Sequence, residues 1–193
     1  MITVVSGLPR SGTSLAMQML AAGGLPVLSD GLREADADNP RGYYEWERIK
    51  LLPQEPSIIA EGEGRALKVI SSLLFSLPPG RPYRVVFLLR PLEEVLASQA
   101  VMLRHRGTQG PPLPPAAMLA ALQAHLAQVN AWLGSRPDLV VLKVNFHDLI
   151  ADPRGQAESM VRFLEIPLDA EAMARQVDPS LHRQRIKTLA NGG

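Results

Sequence analysis

Cysteine is missing from all 193 residues of the sequence, which excludes disulfide bonds, thiolate metal sites and cysteine nucleophiles. Histidine occurs only 4 times, and no two histidines have the spacing that is typical of metal ligands. We therefore expect a protein that uses no metal ion. Surface or locally hydrogen-bonded positions are expected for all of the histidines: His105, His125, His147 and His182.

The sequence also lacks an excess of either charge and any long hydrophobic run. The 20 basic and 19 acidic residues leave a net charge of +1, so bulk charge predicts binding to neither nucleic acid nor an anionic membrane. The longest apolar runs, such as residues 85–89, are far shorter than the ~20 residues that span a bilayer. The first residues show no basic and apolar signal sequence. We expect a cytoplasmic protein whose affinity for anions is local.

The composition is that of a folded domain, with 46% hydrophobic and 20% charged residues. Because a domain has roughly 150 residues, residues 1–193 are expected to form one domain. The 15 glycines and 17 prolines are expected mainly in loops. Two irregular segments are predicted, at residues 29–44 and 106–115.

Short apolar runs alternate with segments of helical periodicity, which predicts an α/β fold with a mostly parallel sheet of about five strands flanked by helices. Strands are predicted at residues 2–5, 25–28, 66–70, 84–89 and 139–143. Most of these runs are nearly continuous in apolar residues, which is typical of strands buried on both faces. Helices are predicted at residues 12–22, 45–52, 71–77, 92–104, 115–133, 153–164 and 170–177.

A glycine-bounded loop connects the first predicted strand to the first predicted helix. Residues 7–14 read Gly-Leu-Pro-Arg-Ser-Gly-Thr-Ser. Two glycines allow a tight turn with inward-pointing N–H groups, and the helix adds its positive N-terminal end, so a phosphate should fit there. The residues expected to contact this phosphate are Gly7, Pro9, Arg10, Ser11, Gly12, Thr13 and Ser14.

The loop departs from the nucleotide-kinase pattern GxxxxGK[ST] at one position, because Thr13 replaces the lysine. A kinase also needs an acidic residue at another strand end to hold magnesium, whereas the strand at residues 84–89 ends in Arg90. Arg10 supplies the cation of the loop instead. These differences disfavour a small-molecule kinase.

A second motif has an arginine at a strand end and a serine eight residues later, about two turns into the next helix: Arg90 and Ser98. Both side chains can reach one anion, and a forked cation with a hydroxyl donor suits a phosphate monoester. Together the two motifs resemble those of the sulfotransferases that use 3′-phosphoadenosine 5′-phosphosulfate (PAPS), whose loop is commonly PKSGTT or PRSGTS. Further similarity to small bacterial sulfotransferase-like proteins lies at residues 36–45, 146–153 and 163–167.

The resemblance implies a three-layer P-loop fold, with PAPS as the sulfonate donor and 3′-phosphoadenosine 5′-phosphate (PAP) as the product. It implies that Arg10 and the N–H groups of residues 11–14 hold the 5′-phosphate and the bridging oxygen. Arg90 and Ser98 would hold the 3′-phosphate. The function predicted is sulfonate transfer to a hydroxyl or amine of a small acceptor. The alternatives are a binding protein without turnover and, less favoured, a kinase.

Two further candidates concern catalysis. Glu45 matches a glutamate of the resembling stretch and is expected to be the catalytic base, with Asp38 in reserve; the alternative for Glu45 is a glutamate in the first turn of a helix. Lys68, inside an apolar strand, is expected to reach the sulfonate from the carboxyl end of the sheet; the alternative is a solvent-facing lysine on an edge strand. Arg10, Lys68 and Arg90 would form a basic cluster that acidic residues offset elsewhere: Asp36, Asp38, Glu93 and Glu94. A basic tail at residues 182–187 either approaches the cofactor or is a solvated terminus.

Overall fold

Five parallel strands form one sheet in the computed structural model, which describes residues 1–105, 107 and 113–181. The strand order is β2-β3-β1-β4-β5, and every pair of neighbouring strands is parallel. The predicted α/β fold with a parallel sheet is confirmed. The strands are β1 (Ile2–Gly7), β2 (Val27–Leu28), β3 (Ala66–Lys68), β4 (Tyr83–Leu89) and β5 (Leu139–Asn145).

The helices agree with the prediction over much of the chain: α1 (Thr13–Ala22), α2 (Leu92–His105), α3 (Pro115–Ser135), α4 (Phe146–Ala151), α5 (Pro153–Leu164) and α6 (Ala170–Ala174). The predicted helices at residues 45–52 and 71–77 are wrong in type, because short 3₁₀ helices stand there, Glu47–Leu51 and Ser71–Ser76. Leu77, which follows the second segment and precedes Pro78, is extended, as expected for a residue before proline. Helix α4 and the 3₁₀ helices Pro56–Gly62 and Pro179–Leu181 were not predicted.

Successive strand residues point to opposite faces of the sheet, and both faces are covered. Val4, Val85 and Phe87 pack in one core with Val129 and Leu133 of α3 and with the 3₁₀ segments. The alternate residues Val5, Val86 and Leu88 of the same strands face a second core. There they pack with Met17 and Leu20 of α1 and with Met160 and Leu164 of α5. Helices therefore flank the sheet on both sides, which gives the three layers expected.

The edge strands differ from the prediction. Most strands were expected to be buried on both faces, but β5 pairs only with β4 in the described part of the chain, and Val140 is 58% exposed. β2 is reduced to two residues. In contrast, β3 lies between β1 and β2, so Lys68 is not on an edge strand.

Two predicted features concern segments that are described in part or not at all. Of the irregular segment at residues 106–115, the structure describes only residues 107 and 113–115, and the basic tail at 182–187 lies outside the described residues. None of the helices described has both the length and the apolar character needed to cross a membrane.

Because the sheet is parallel, the carboxyl ends of β1, β3 and β4 meet at one edge, where ligands of such folds bind.

Candidate anion-binding cleft

The loop at residues 7–14 connects β1 to α1 as predicted. The positions of its two glycines leave no room for a side chain. Gly7 has φ +151° and Gly12 has φ +103°, a region that side chains disfavour. A Cβ atom at Gly7 would lie 2.8 Å from the carbonyl oxygen of Leu88, and one at Gly12 would lie 2.6 Å from the Phe146 ring. The loop therefore packs directly on β4 and α4.

The loop has the donor groups that an anion requires. Helix α1 begins after Gly12 without any side-chain cap, so its first N–H groups depend on another acceptor. Among the described residues, the buried hydroxyls without a hydrogen-bond partner are those of Ser6 and Ser11, in β1 and in the loop. Buried polar groups normally have partners. A phosphate or sulfate group bound here would accept hydrogen bonds from the N–H groups at the start of α1.

Arg10 links the loop to the second motif. Its Nε donates a hydrogen bond of 2.9 Å to Ser98 Oγ on α2, and its carbonyl oxygen accepts one of 3.1 Å from Arg90 Nη1. The Arg90 guanidinium lies 4.5 Å from the centre of the Phe146 ring. The side chains of the two motifs therefore form one continuous surface, and the Arg10 guanidinium is directed toward the predicted 3′-phosphate site.

Arg90 is also held by an acidic side chain that sequence reasoning had assigned elsewhere. Glu94 Oε2 accepts a hydrogen bond of 2.9 Å from Arg90 Nε, while Glu94 Oε1 lies 3.0 Å from His147 Nε2. Burial lowers the pKa of Arg90, and the hydrogen bond and charge of Glu94 oppose this shift. The expectation that Glu94 offsets charge away from the site is wrong. Its spacing of four residues from Arg90 was the available signal.

Lys68 is buried at the carboxyl end of β3, with 5% of its surface exposed. Its Nζ donates to Ser14 Oγ at 3.0 Å and to the carbonyl oxygen of Tyr43, and it lies 3.8 Å from Glu45 Oε1. Burial lowers the pKa of Lys68 to about 8, against the opposing charge of Glu45. The alternative of a solvent-facing lysine is therefore wrong, and the side chain points to the loop.

Glu45 lies in irregular chain before the 3₁₀ helix Glu47–Leu51, so the first-turn interpretation is wrong. Its carboxylate accepts two hydrogen bonds from Arg33 Nη1, of 2.9 and 3.1 Å. The Arg33 guanidinium also stacks 3.3 Å from the centre of the Tyr43 ring. Arg33 was missed by sequence reasoning, because no motif or periodicity marks it.

Residues 36–45, which we name the covering segment, present backbone carbonyls to the loop. Arg10 Nη2 donates to the Asp38 carbonyl at 3.0 Å, and Ser14 Oγ donates to the Tyr43 carbonyl at 3.4 Å. The Asp38 side chain is 7% exposed, and its carboxylate lies 2.9 Å from His105 Nδ1. Asp38, the reserve candidate for the base, thus lies at the site, and the expectation that it offsets charge elsewhere is wrong.

These groups surround one cleft of about 410 Å³. Apolar side chains, among them Trp46, Ile49 and Leu73, form part of its wall. Within the described residues there is no cluster of histidine and carboxylate side chains that could hold a metal ion. Gly7 and Ser11 are not part of the wall, whereas the other predicted site residues are: Pro9, Arg10, Gly12, Thr13, Ser14, Glu45, Lys68, Arg90 and Ser98.

Known proteins show similarity at two levels. Residues 120–184, about a third of the chain, match the model of the family described as "Sulfotransferase domain"; this stretch begins within α3 and excludes the loop. A sulfotransferase domain from the curacin biosynthetic pathway has a similar structure, with a TM-score of 0.54, 14% sequence identity and coverage of 96% of this chain and 92% of that domain.

An unliganded sugar kinase from Janibacter sp. HTCC2649 gives a TM-score of 0.46 with 16% identity, covering 93% of this chain and 96% of the kinase, a score too low to support an inference. No curated protein matches the sequence. The family match and the shared fold of the curacin domain confirm that the chain resembles the P-loop sulfotransferases.

Proposed function

We propose that the protein transfers a sulfonate group from PAPS to a hydroxyl or amine of a small acceptor. The observation that carries the proposal is the link from the loop through Arg10 to Ser98 and Arg90. This link would join two anion sites on one wall of the cleft. A nucleotide with anionic groups on both its 5′ and its 3′ oxygens fits this arrangement, whereas the phosphates of ATP all lie on the 5′ side.

The residues present fit PAPS. The backbone N–H groups of residues 12–14, at the uncapped start of α1, would hold the 5′-phosphosulfate, whereas the Ser11 N–H already donates to the Leu8 carbonyl oxygen at 3.1 Å. Arg90 and Ser98 would hold the 3′-phosphate through charge-assisted hydrogen bonds. Arg10 lies between the two positions and would contact the phosphates from the side of Ser98.

PAPS supplies an activated sulfonate, whose bond to the phosphate oxygen breaks as a bond to the acceptor oxygen or nitrogen forms. The leaving phosphate gains negative charge, which Arg10 and Lys68 would stabilise. With a pKa of about 8, Lys68 carries its proton at neutral pH. Glu45 would take the proton of the acceptor, and its distance of 3.8 Å from Lys68 Nζ places base and cation side by side.

The donor assignment is tested by calorimetric titration with PAP and with ATP. Wild type should bind PAP without magnesium and more tightly than ATP. Arg90→Ala and Ser98→Ala should each weaken PAP binding, by about tenfold or more for the arginine. Arg162→Ala is the matched control, because that side chain is 71% exposed and should leave PAP affinity unchanged. A wild type that ignores PAP, or variants that bind it equally well, would contradict the assignment.

Turnover is tested by PAP release from PAPS in the presence of alcohols, phenols and amines. Wild type should release PAP with at least one of these acceptor classes, and Arg10→Ala should lower the rate sharply. PAP binding without transfer to any acceptor would instead favour the binding protein without turnover. Near-normal transfer by Arg10→Ala would remove Arg10 from the mechanism.

A further inference from the structure

A buried carboxylate lies beside the arginine that is proposed to bind the 3′-phosphate. The Glu94 side chain is only 1% exposed, and it shares its surroundings with the predicted anion site. By charge alone, a carboxylate at this position repels a phosphate and lowers its affinity. Its presence therefore needs a reason other than added charge.

The geometry gives that reason. Glu94 follows Arg90 by four residues and accepts its Nε hydrogen bond at 2.9 Å. The Arg10 carbonyl oxygen accepts from Arg90 Nη1 at 3.1 Å, and the Phe146 ring lies against the guanidinium face at 4.5 Å. Contacts on two edges and one face fix both the position and the plane of the guanidinium. A planar fork recognises phosphate only when its plane is directed to the anion.

The second oxygen of the carboxylate is fixed as well. Glu94 Oε1 lies 3.0 Å from His147 Nε2 at the start of α4, and the His147 side chain is 43% exposed. The His147 backbone N–H in turn donates to Asn145 Oδ1 at 2.9 Å. The chain of contacts thus runs from the first turn of α4 through Glu94 to Arg90.

We propose that Glu94 is a positioning residue, which orients Arg90 and thereby sets the preference for nucleotides that carry a 3′-phosphate. The proposal rests on the proposed function, since it assumes that Arg90 faces that phosphate. His147 supports the orientation from the other side of the carboxylate. Glu94 itself touches neither the donor nor the acceptor.

The test compares the dissociation constants of PAP and adenosine 5′-monophosphate, which differ only in the 3′-phosphate. The dissociation constant of the monophosphate divided by that of PAP measures recognition of that group alone. In Glu94→Ala the ratio should fall by about tenfold, with binding of the monophosphate unchanged. Glu94→Gln keeps an oxygen for Arg90 and an amide for His147, so it should retain the ratio within about threefold. Glu93→Gln is the matched control, since Glu93 is exposed on the same helical turn.

His147→Ala provides a variant at a partly exposed position, where folding is expected to persist. It should reduce the ratio by about threefold. An unchanged ratio in both alanine variants would overturn the proposal, and so would equal losses in Glu94→Gln and Glu94→Ala, because orientation through the oxygen would then not matter. If wild type itself shows no preference for PAP, the proposed function fails instead, which distinguishes the two failures.

Discussion

The loop at residues 7–14 and the covering segment at residues 36–45 face each other across the cleft, but different forces fix their shapes. The loop is defined by its backbone: Gly7 and Gly12 adopt conformations and close approaches that only glycine permits. In the covering segment Gly42 also has a positive φ, +87°, but a Cβ atom there would have no neighbour closer than 4.0 Å, and side-chain hydrogen bonds supply the other constraints. Tyr43 Oη donates to the Asp36 carboxylate, whose oxygens lie at 2.7 and 2.8 Å, and Asn39 Nδ2 donates to the Gly42 carbonyl at 2.7 Å.

The two halves of the site should therefore differ in how strongly a substitution destabilises them. One added methyl group in the loop meets backbone that cannot move cheaply, so its cost is large. Any single hydrogen bond of the covering segment contributes on the order of 1 kcal/mol, so its loss is tolerated. The loop should keep a fixed conformation, whereas the covering segment should adjust its conformation when one contact is lost.

The largest effect is expected for Gly7→Ala. The new Cβ would meet the Leu88 carbonyl at 2.8 Å in a conformation with φ +151°, so we expect a loss of about 3 kcal/mol or more of unfolding free energy. PAP binding should be lost as well. Urea denaturation and calorimetry measure both quantities.

Gly24→Ala separates crowding from backbone strain. Gly24 also has a positive φ, +98°, but nothing lies within 4 Å of a Cβ there. Its cost should be about 1 kcal/mol, without loss of PAP binding. If Gly7→Ala and Gly24→Ala were equally stable, the loop would not have the fixed conformation that its geometry indicates.

Between the two regions lies Lys68, for which an intermediate, pH-dependent effect is expected. Burial lowers its pKa from 10.5 to about 8, so between these values the unfolded chain binds more protons than the folded one. The stability of wild type relative to Lys68→Met should therefore be lowest below pH 8 and rise between pH 8 and 10, by about 2–3 kcal/mol. Urea denaturation at several pH values measures this difference.

Lys143→Met is the control for that experiment, because Lys143 is an exposed lysine on β5. Its stability relative to wild type should stay constant over the same pH range. A flat difference for Lys68→Met as well would mean that the folded protein does not disfavour the charged form of Lys68. The rate of sulfonate transfer should nevertheless fall in Lys68→Met, since the buried cation is lost.

The smallest effect is expected in the covering segment, for Tyr43→Phe. Burial of the Asp36 carboxyl would raise its pKa, but hydrogen bonds from Tyr43 and from the backbone amides of Asn39 and Asp38 outweigh it and lower the pKa. Removing the hydroxyl should raise the pKa of Asp36 toward its usual range and cost about 1 kcal/mol. Titration by NMR measures the pKa, and hydrogen exchange should quicken at residues 36–45.

Tyr83→Phe is a matched control, because it removes one hydrogen bond from another buried tyrosine, to the Pro78 carbonyl at 3.1 Å. Its cost should be similar, with no change in hydrogen exchange at residues 36–45. If Tyr43→Phe destabilised the protein as much as Gly7→Ala, the loop and the covering segment would not differ in how firmly their conformations are fixed.

Local patterns predicted much of the fold and part of the site. The apolar runs located all five strands, and the glycine spacing located the loop, because both features depend on residues close together in the chain. The 3₁₀ helices at Glu47–Leu51 and Ser71–Ser76 were taken for α-helices, since apolar periodicity does not distinguish such short segments. Burial of β5 was overestimated, because hydrophobicity does not show which strand stands at the edge of a sheet.

The strand, loop and helix around residues 7–14 and the spacing of Arg90 and Ser98 follow from local sequence. Steric limits on glycine and the geometry of one helix act over a few residues, so they hold wherever the segment lies. The contact of Arg10 with Ser98, 88 residues away, the burial of Lys68 and the hydrogen bond that holds Arg90 to Glu94 beside the loop depend instead on the folded chain. Those contacts arise because the strand order places β1 between β3 and β4, which brings residues distant in the chain to one edge of the sheet.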